Sequence, residues 1–585
     1  MKNQLTPYAP KTGEVPLQEY PRPQLKRDSY LNLNGEWDFE ISKQKDIFNN
    51  SKKIIVPFSP ESVLSGVNQS LGTDEFAFYH KNVILPDGFL KGRLLLHFGA
   101  VDQTSDVFIN DIHVFNHVGG YVPFCIDITD YISTNQFDIS LRVSDLSDTS
   151  YHLTGKQRLS PGGIFYTAQS GIWQSVWLES VPDLYVEDLT LVPNFYDRSL
   201  SIKVHSKGIK ELSVAVYFKD TYLFRKSAIS SEMTLKMDPF YPWTPEAPNL
   251  YTLRVKYGED EIESYIGMRS FERKLASNRT QQFFLNGKPY FQTGVLDQGY
   301  YSDGLLTPPS DQAMIDDILL MKQMGFNMIR KHIKMEPMRW YYHCDRLGML
   351  VWQDMMSGTE NKNVVFHHIL SIMGIHLNDR FKSLFGRKNL IGRALYEKDL
   401  DTMIHTLKNV TSICTWVPFN EAWGQFDTKR IHNKVKSLDN TRLIDHASGW
   451  SDHQVGDYHS RHIYFQPIYF RKHPSKKRIL ALTEFGGYSL AIEGHRYNED
   501  SIFGYKIYQT ESQLEMAIEH LYKNILPKQV RKGLSALVYT QLSDVEEEVN
   551  GFITYDRKHV KVQVSKMKSW NQNLIDLLDQ TQKNS

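Results

Sequence analysis

The sequence predicts a multidomain β + α/β protein: an N-terminal jelly-roll β-sandwich, an immunoglobulin-like β-sandwich and a C-terminal (β/α)8 TIM barrel. Its 585 residues are enough for three or four domains. The first half is built of short apolar strands with almost no helical periodicity, and from about Gln281 onwards apolar strands alternate with amphipathic helices. We therefore expect domains at 1–182, 183–275 and 276–585.

The two N-terminal domains are predicted from strand spacing. In the first, runs rich in Val, Ile, Phe and Leu lie between Gly, Pro and Asp residues, which favours a sandwich or jelly roll. These runs are Arg93–Phe98, Asp106–Ile109, Gln136–Val143 and Gln174–Ser180. The second strand-rich stretch, from about Leu184 to Arg273, has the length of one immunoglobulin-like sandwich.

Eight strands with intervening helices predict the barrel. The strand candidates are Phe291–Leu296, Asn327–His332, Met349–Asp354, Ile413–Asn420, Arg442–His446, Val455–His459, Ile479–Phe485 and Ser535–Leu542. The helix candidates are Asp311–Gly325, Pro337–Leu347, Asp401–Asn409, Thr428–Leu438 and Glu511–Leu526. A doubly wound open sheet is the alternative, but no glycine-rich phosphate loop follows the first strand.

Composition excludes several classes of partner. Lys+Arg and Asp+Glu both number 67, so there is no basic excess to favour nucleic acid or an acidic membrane. The N-terminus lacks an apolar signal segment, and no run of apolar residues is long enough to span a bilayer. The three cysteines are far apart, which excludes a disulfide framework. We expect a cytoplasmic protein without nucleic-acid or membrane partners.

Two predicted strands end in a carboxylate. Strand four runs into Asn420-Glu421, and strand seven runs into Glu484. The active site of a TIM barrel lies at the carboxyl ends of its strands, and two carboxylates there are what glycoside hydrolysis needs. The competing interpretation is that both are ordinary acids that cap the following turns.

Other strand ends supply candidate binding residues, which are Arg330, His332, Asp354, Asp457, His459 and Tyr539. Arg330 and His332 share one face of strand two by the two-residue period, so Arg330 could pair with the nucleophile. Structural ion pairs and hydrogen bonds are the competing interpretations. The run Glu546-Glu547-Glu548 is predicted to be a solvated acidic turn.

Several motifs resemble glycoside hydrolase family 2, which contains β-galactosidases, β-glucuronidases and β-mannosidases. The jelly-roll motifs are Tyr20–Glu40, Gly119-Gly120-Tyr121 and Ser170-Gly171-Ile172-Trp173-Gln174; those of the sandwich are Pro242-Trp243-Thr244-Pro245 and Gly267-Met268-Arg269; those of the barrel are Asn286-Gly287-Lys288-Pro289, Asn327–His332, Asn420-Glu421 and Thr483-Glu484-Phe485-Gly486. They follow the family's order along nearly the whole chain.

The resemblance implies roles for the barrel residues. Glu421 matches the acid/base and Glu484 the nucleophile of a retaining double displacement that uses no cofactor. Asn420 would bind the sugar 2-hydroxyl, Arg330 would orient the nucleophile and His332 would face the sugar. Tyr539 stands where the family commonly has a Trp that floors the first sugar site.

The sugar is less well determined. Glu548-Val549-Asn550 replaces the Asn-x-Lys motif with which β-glucuronidases bind the substrate carboxylate, which disfavours a uronate. Magnesium ligands of the large β-galactosidases are not matched, so no metal is expected, while Trp352-Gln353-Asp354 is similar to β-mannosidases. β-Galactosidase is retained as the commonest activity of such chains. Asp297, Asp354, Asp457 and His459 are predicted to bind sugar hydroxyls.

The expected function is that of an exo-β-glycosidase acting on small oligosaccharides or glycosides. Trp423 and the long segment Ser357–Lys398 are candidates for the aglycone side. The resemblance suggests a homodimer. A β-mannosidase or other β-glycosidase, a non-catalytic carbohydrate-binding relative and a transglycosylase are the alternatives.

Overall fold

The computed structural model describes residues 5–45, 52–358, 370, 377–470, 477–499 and 501–583. It contains the predicted jelly roll, immunoglobulin-like sandwich and TIM barrel, in that order along the chain. The limits 1–182, 183–275 and 276–585 stay our proposal for the domains. No helix in the described ranges combines the length and the apolar character that a membrane crossing requires.

The jelly roll packs two antiparallel sheets around one core. Along Gln136–Ser144 the residues alternate between buried and more exposed positions, as expected when one face of a sheet lies against the other sheet. The smaller sheet has the order Tyr30–Asn32, Val176–Val181, Arg93–Phe98, Phe124–Asp127. The larger has the order Lys52–Val56, Gly35–Ser42, Phe76–Ile84, Gln136–Ser144, Thr104–Ile109, Ile112–Val118.

The second sandwich also has two antiparallel sheets. Its strands alternate between buried and exposed residues, as Tyr251–Tyr257 illustrates. One sheet has the order Asp188–Asn194, Ser199–His205, Glu232–Lys236; the other has the order Thr221–Ile229, Glu211–Phe218, Tyr251–Tyr257, Asp260–Ile266. A small sheet of Phe271–Leu275, Gln281–Leu285 and Lys288–Pro289 follows it.

The barrel is one parallel sheet of eight strands, numbered here one to eight along the chain. They are Gln292–Asp297, Met328–Lys331, Leu350–Asp354, Ile413–Val417, Leu443–Ile444, Tyr458–Ile463, Ile479–Gly486 and Leu534–Thr540. Strands one and eight pair with each other, so only strands five and six are left at the sheet edges. The backbone N–H of Asp457 donates to the carbonyl of Ile444 at 2.8 Å across that gap, which nearly closes the barrel.

The helices lie outside the sheet. They are Asp311–Gln323, Met338–Leu347, Leu390–Leu407, Thr428–Leu438, Glu511–His520 with its continuation to Val530, and Val564–Lys583. The helix that we expected at Asp401–Asn409 begins earlier, at Leu390, where Asn389 caps it by accepting from the Gly392 N–H. The final helix was not predicted.

The predicted position of strand six is wrong. We expected Val455–His459, but the strand is Tyr458–Ile463. The residues before it, with Gly456 at a positive φ of 79°, form the turn that enters the strand. The carboxyl end of strand six is therefore at Ile463, and Asp457 lies before its first residue.

The three domains are joined by buried polar contacts. Arg27 donates to Glu179 of the jelly roll at 2.8 Å and to Asp260 of the second sandwich at 2.8 Å, and all three side chains are buried. Such charge-assisted hydrogen bonds fix the relative orientation of the two sandwiches.

The predicted solvated turn Glu546-Glu547-Glu548 is instead a domain contact. Glu546 accepts from the Thr167 N–H at 2.8 Å, and Glu548 accepts from the Tyr166 hydroxyl at 2.5 Å. Glu546 and Glu548 are 3% and 2% exposed. The sequence prediction failed because the donors that bind the acidic run, Tyr166 and Thr167, belong to the jelly roll in a distant part of the chain.

We predict that Glu546→Gln stabilises the protein most at neutral pH. Burial raises the pKa of Glu546 to about 7, whereas in the unfolded chain it is about 4.3. The folded protein therefore binds the proton more tightly, and the free energy of unfolding falls as pH rises from about 4 to 7. The amide keeps the acceptor for Thr167 without that loss.

The measurement is the difference in melting temperature between Glu546→Gln and wild type. We expect it to be about 2–3 °C larger at pH 7.5 than at pH 4.5. Glu261→Gln, which changes an exposed carboxyl, is the control and should show no such trend. A constant difference across pH would contradict the prediction.

Candidate active site

Glu421 lies in the loop that follows strand four. Its N–H donates to the Ser448 carbonyl at 2.9 Å, so the loops after strands four and five hold each other at the barrel mouth. Glu421 and Ala422 both have positive φ, 50° and 62°. Such conformations are uncommon for residues with a side chain and cluster at functional sites.

Glu484 belongs to strand seven. The pairing of this strand with strand six shifts register between Leu482 and Glu484. A bulge of this kind re-aims the next side chain, and the Glu484 carboxylate accepts from Arg330 at 3.1 Å and from the Tyr464 hydroxyl at 2.6 Å. Glu484 is 5% exposed.

The two carboxylates converge on one histidine. His462 Nδ1 is 2.8 Å from Glu421 Oε1 and 3.5 Å from Glu484 Oε2. A donor atom of each of these three side chains lies within 4.8 Å of the other two. Two acids from strands four and seven therefore share one small volume at the carboxyl ends of the strands.

Within the described ranges, Glu421, His462 and Glu484 are also the group whose donor atoms are arranged so that they could hold a metal ion. His462 Nδ1 is already within hydrogen-bond distance of Glu421, and Arg330 and Tyr464 both donate to Glu484. A cation would have to displace those donors.

Arg330 is the centre of a buried network. Its guanidinium donates to both oxygens of Asp354 at 3.0 and 2.9 Å, and to Asn420 Oδ1 at 2.8 Å, besides Glu484. Asp354 Oδ2 also accepts from His332 Nδ1 at 2.9 Å, since an ionised carboxylate can only accept. Asp354 therefore positions Arg330 and His332, and that it binds sugar hydroxyls stays a prediction.

Two unpartnered groups remain around this network. Asn420 Nδ2 is buried and finds no acceptor in the described part of the chain. His332 is held through Nδ1, which leaves Nε2 available. Both residues were predicted to contact the sugar, and both have a polar atom to offer.

The charges around Glu484 set its protonation. Burial raises the pKa of Glu484, but His462 and Arg330 lower it more, so the pKa lies below its usual value. Burial drives the pKa of His332 well below its usual value, and the charge of Lys156 lowers it further. At neutral pH the site holds an ionised Glu484 beside a neutral His332.

Asp297 and Tyr539 do not reach this volume. On strand one Leu296 faces the barrel interior, so Asp297 turns to the outer layer, where it accepts from Lys331. On strand eight Val538 faces inwards and Tyr539 packs outside against Phe485 and Phe552, with ring centroids 5.5 and 4.6 Å away. The period of two places both side chains on the wrong face.

Asp457 and His459 lie at the opposite end of the barrel. Asp457 Oδ2 accepts from the Ile444 N–H at 2.9 Å, and its other oxygen pairs with Arg273 at 3.3 Å. His459 Nδ1 is 3.3 Å from Asp452. Both predictions are wrong because strand six begins, and does not end, at these residues.

The same error concealed His462 and Tyr464. Once strand six is Tyr458–Ile463, these two residues share a face by the period of two, and they reach both carboxylates. The sequence signal is a His and a Tyr two apart at a strand end, but it is visible only with the correct strand.

The jelly roll contributes an aromatic wall. Trp423, in the same loop as Glu421, stacks on Phe165 with ring centroids 5.7 Å apart. The guanidinium carbon of Arg158 lies 3.5 Å from the Phe165 ring centroid. Of the predicted aglycone segment Ser357–Lys398, positions 359–369 and 371–376 lie outside the described residues.

Three stretches of the chain match domains of one family. Residues 25–182 match the sugar binding domain of "Glycosyl hydrolases family 2", residues 184–269 match "Glycosyl hydrolases family 2", and residues 277–573 match its TIM barrel domain. A β-galactosidase of Thermoanaerobacter pseudethanolicus is 26% identical over 380 residues, 60% of this chain and 50% of that protein. The chain spans about half the length of the curated relatives it matches.

Solved structures share the whole architecture. A β-glucuronidase from an uncultured Clostridium sp. has a TM-score of 0.75 at 16% identity, over 94% of this chain and 99% of that one. A β-galacturonidase of Eisenbergiella tayi, bound to galacturonate, has a TM-score of 0.68 at 18% identity, over 95% and 99% of the two chains. At these identities the similarity concerns the fold.

We predict that Arg330→Met destabilises the barrel by about 3–5 kcal/mol, because it leaves the buried Asp354 carboxylate without its cation. The measurement is urea unfolding followed by tryptophan fluorescence. Adding Asp354→Asn to Arg330→Met removes the stranded charge and should restore part of the loss. An Arg330→Met protein with the wild-type urea midpoint would show that the network does not support the fold.

Proposed function

The chain belongs to glycosyl hydrolase family 2, and on this premise we propose that it is a retaining exo-β-glycosidase. Its substrates would be small oligosaccharides or glycosides, from which it removes the terminal, non-reducing β-linked sugar. The observation that carries the proposal is the pair of buried carboxylates whose oxygens lie within 4.8 Å of each other. A separation near 5 Å is typical of retaining enzymes, since inversion needs room for a water between the acids.

The proposed reaction proceeds in two displacements. Glu484 attacks the anomeric carbon while Glu421 transfers its proton to the leaving glycosidic oxygen, which gives a glycosyl ester and the free aglycone. Glu421 then removes a proton from water, and the water oxygen replaces Glu484 at the anomeric carbon. Both carboxyl groups return to their starting protonation state.

The surrounding residues support this division of labour. Arg330 and Tyr464 both donate to Glu484, which favours the ionised nucleophile and the leaving carboxylate of the second step. Asn420 is fixed through Oδ1 by Arg330, so its unpartnered Nδ2 has a defined direction from which to donate to the sugar 2-hydroxyl. These residue roles are proposals.

The sugar itself is proposed only as a class. Relatives include β-galactosidases and β-glucuronidases, and both activities remain candidates, with β-mannosidase as a further one. Glu548 disfavours a uronate whose carboxylate would approach the loop after strand eight, because Tyr166 and Asn550 hold the Glu548 carboxylate there. A cytoplasmic location and a homodimer are likewise proposals.

We expect replacement of Glu484 and replacement of Glu421 to reduce activity in different ways. On a panel of aryl β-glycosides, Glu484→Gln should lower kcat for every sugar by at least about 10³-fold. The panel consists of a galactoside, glucoside, mannoside, xyloside, arabinoside and glucuronide. Glu421→Ala should be rescued by azide, a nucleophile that needs no base, and yield a β-glycosyl azide identifiable by NMR.

Azide should not rescue Glu484→Gln, which makes that variant the matched control. An α-glycosyl azide from Glu421→Ala would contradict retention. If wild type releases no sugar from the whole panel but binds sugar, the carbohydrate-binding alternative replaces the proposal.

We predict that His462→Asn moves the acidic limb of the kcat/KM–pH profile to higher pH. Glu484 must be ionised to attack, and His462 is the first of the charges that lower the pKa of Glu484. Without it the pKa rises and more of the nucleophile is protonated at a given pH. His459→Asn, on the same strand but outside the site, should leave the limb unchanged. An unmoved limb in His462→Asn would refute this role.

A further inference from the structure

One wall of the site is formed by a jelly-roll loop, residues 156–167. Its two short strands, Gln157–Arg158 and Tyr166–Thr167, pair in parallel. The acidic run of the barrel holds this loop, because Glu546 and Glu548 accept from Thr167 and Tyr166. Lys156 immediately precedes the first of the two strands.

Lys156 is buried without a counter-ion. It is 7% exposed, and no carboxylate of the described residues makes an ion pair or hydrogen bond with it. Its ammonium lies 5.4 Å from the ring centroid of Tyr166. The other buried lysines of the described ranges are paired: Lys331 with Asp297, Lys334 with Glu336 and Lys561 with Asp544.

Lys156 lies beside the sugar-facing residues. It lines the same small cavity as His332, Gln298 and Tyr300. Its charge is also the largest contribution after burial to the lowered pKa of His332. The Lys156 ammonium therefore lies close to the His332 imidazole. His332 is hydrogen-bonded to Asp354, which in turn binds Arg330 beside the proposed nucleophile.

The neighbouring acid is already occupied. Glu548 accepts from Tyr166 through one oxygen and from Asn550 through the other. Asn550 in turn accepts from Gln541, and Gln541 accepts from Gln298. This chain of hydrogen bonds holds the acid at Tyr166 and Asn550, and within the described residues it makes no ion pair with Lys156.

A largely buried ammonium without a counter-ion favours the binding of a negatively charged group. The protein has equal numbers of basic and acidic residues and yet leaves this cation unpaired beside His332, whose Nε2 has no partner in the described part of the chain. A ligand that carries a negative charge would pair with it.

We propose that Lys156 binds an acidic substituent, a carboxylate or a sulfate ester, on the terminal sugar of the substrate. This specificity rests on the proposed function, because it assumes that a sugar occupies the volume in front of Glu421 and Glu484. The acidic group is recognised on the His332 side of the pocket, where Lys156 lines the cavity.

The test compares matched aryl β-glycosides on the full-length enzyme. The substrates are a galactoside and a glucoside, the corresponding galacturonide and glucuronide, and a galactoside carrying a ring sulfate. We expect wild type to prefer at least one acidic substrate over its neutral parent. Lys156→Gln should lower kcat/KM for that substrate by about 10–100-fold, the loss of one charged hydrogen bond, and change the neutral parent by less than about 3-fold.

Lys156→Arg should keep part of the preference, since it retains the charge. Lys91→Gln, which removes an exposed lysine of the same domain, controls for net charge and should change nothing. The carboxylate and sulfate arms identify the acidic group. An equal loss on neutral and acidic substrates, or no loss, would overturn the proposal.

Binding separates this inference from the proposed function. Calorimetric titration of galacturonate, glucuronate and galactose sulfate into wild type and Lys156→Gln does not need turnover. Weaker binding of an acidic sugar to Lys156→Gln, with galactose binding unchanged, supports the role of Lys156 even if no glycoside is cleaved. Turnover of neutral glycosides with no acidic sugar bound would leave the glycosidase intact and refute the acidic specificity.

Discussion

The guanidinium of Arg330 is buried between two carboxylates, Asp354 and Glu484, and the amide oxygen of Asn420. These groups come from strands two, three and seven and from the loop after strand four. None of the acids could be ionised at that depth without the cation, and the cation could not be there without them. The relative positions of four strand ends thus depend on one side chain, which also gives the unpartnered amide of Asn420 its direction.

The sequence predicted those site residues whose position follows from the order of residues along one strand. Apolar strands that end in Asn420-Glu421 and Glu484 predict carboxylates at the barrel mouth because all parallel strands end on the same face. Assignment failed where it needed the face of a strand. Asp297 and Tyr539 face the outer layer because their neighbours Leu296 and Val538 face the interior, and the displaced strand six hid His462 and Tyr464. The buried state of Glu546 depends on Thr167, nearly 380 positions away, and no local pattern carries that information.

Two domains line the candidate active site. The barrel supplies the two acids and the Arg330 cation, whereas the jelly-roll loop supplies Lys156 and Phe165, which stacks on Trp423. Glu546 and Glu548 hold that loop against the segment that follows strand eight. Because loops tolerate change better than the elements that carry them, this loop can alter the choice of substrate without disturbing the Arg330 network.

Two charges near Tyr166 bear on that choice. Glu548 accepts from the Tyr166 hydroxyl and from Asn550, so both of its oxygens are engaged, whereas the unpaired Lys156 ammonium lies 5.4 Å from the Tyr166 ring centroid. A neutral sugar would leave the ammonium desolvated and uncompensated in the complex, whereas an acidic group directed at Glu548 would meet a carboxylate. An acidic group on the His332 side would neutralise Lys156 and avoid Glu548. The pocket therefore discriminates by where a negative charge is placed on the sugar as well as by whether one is present.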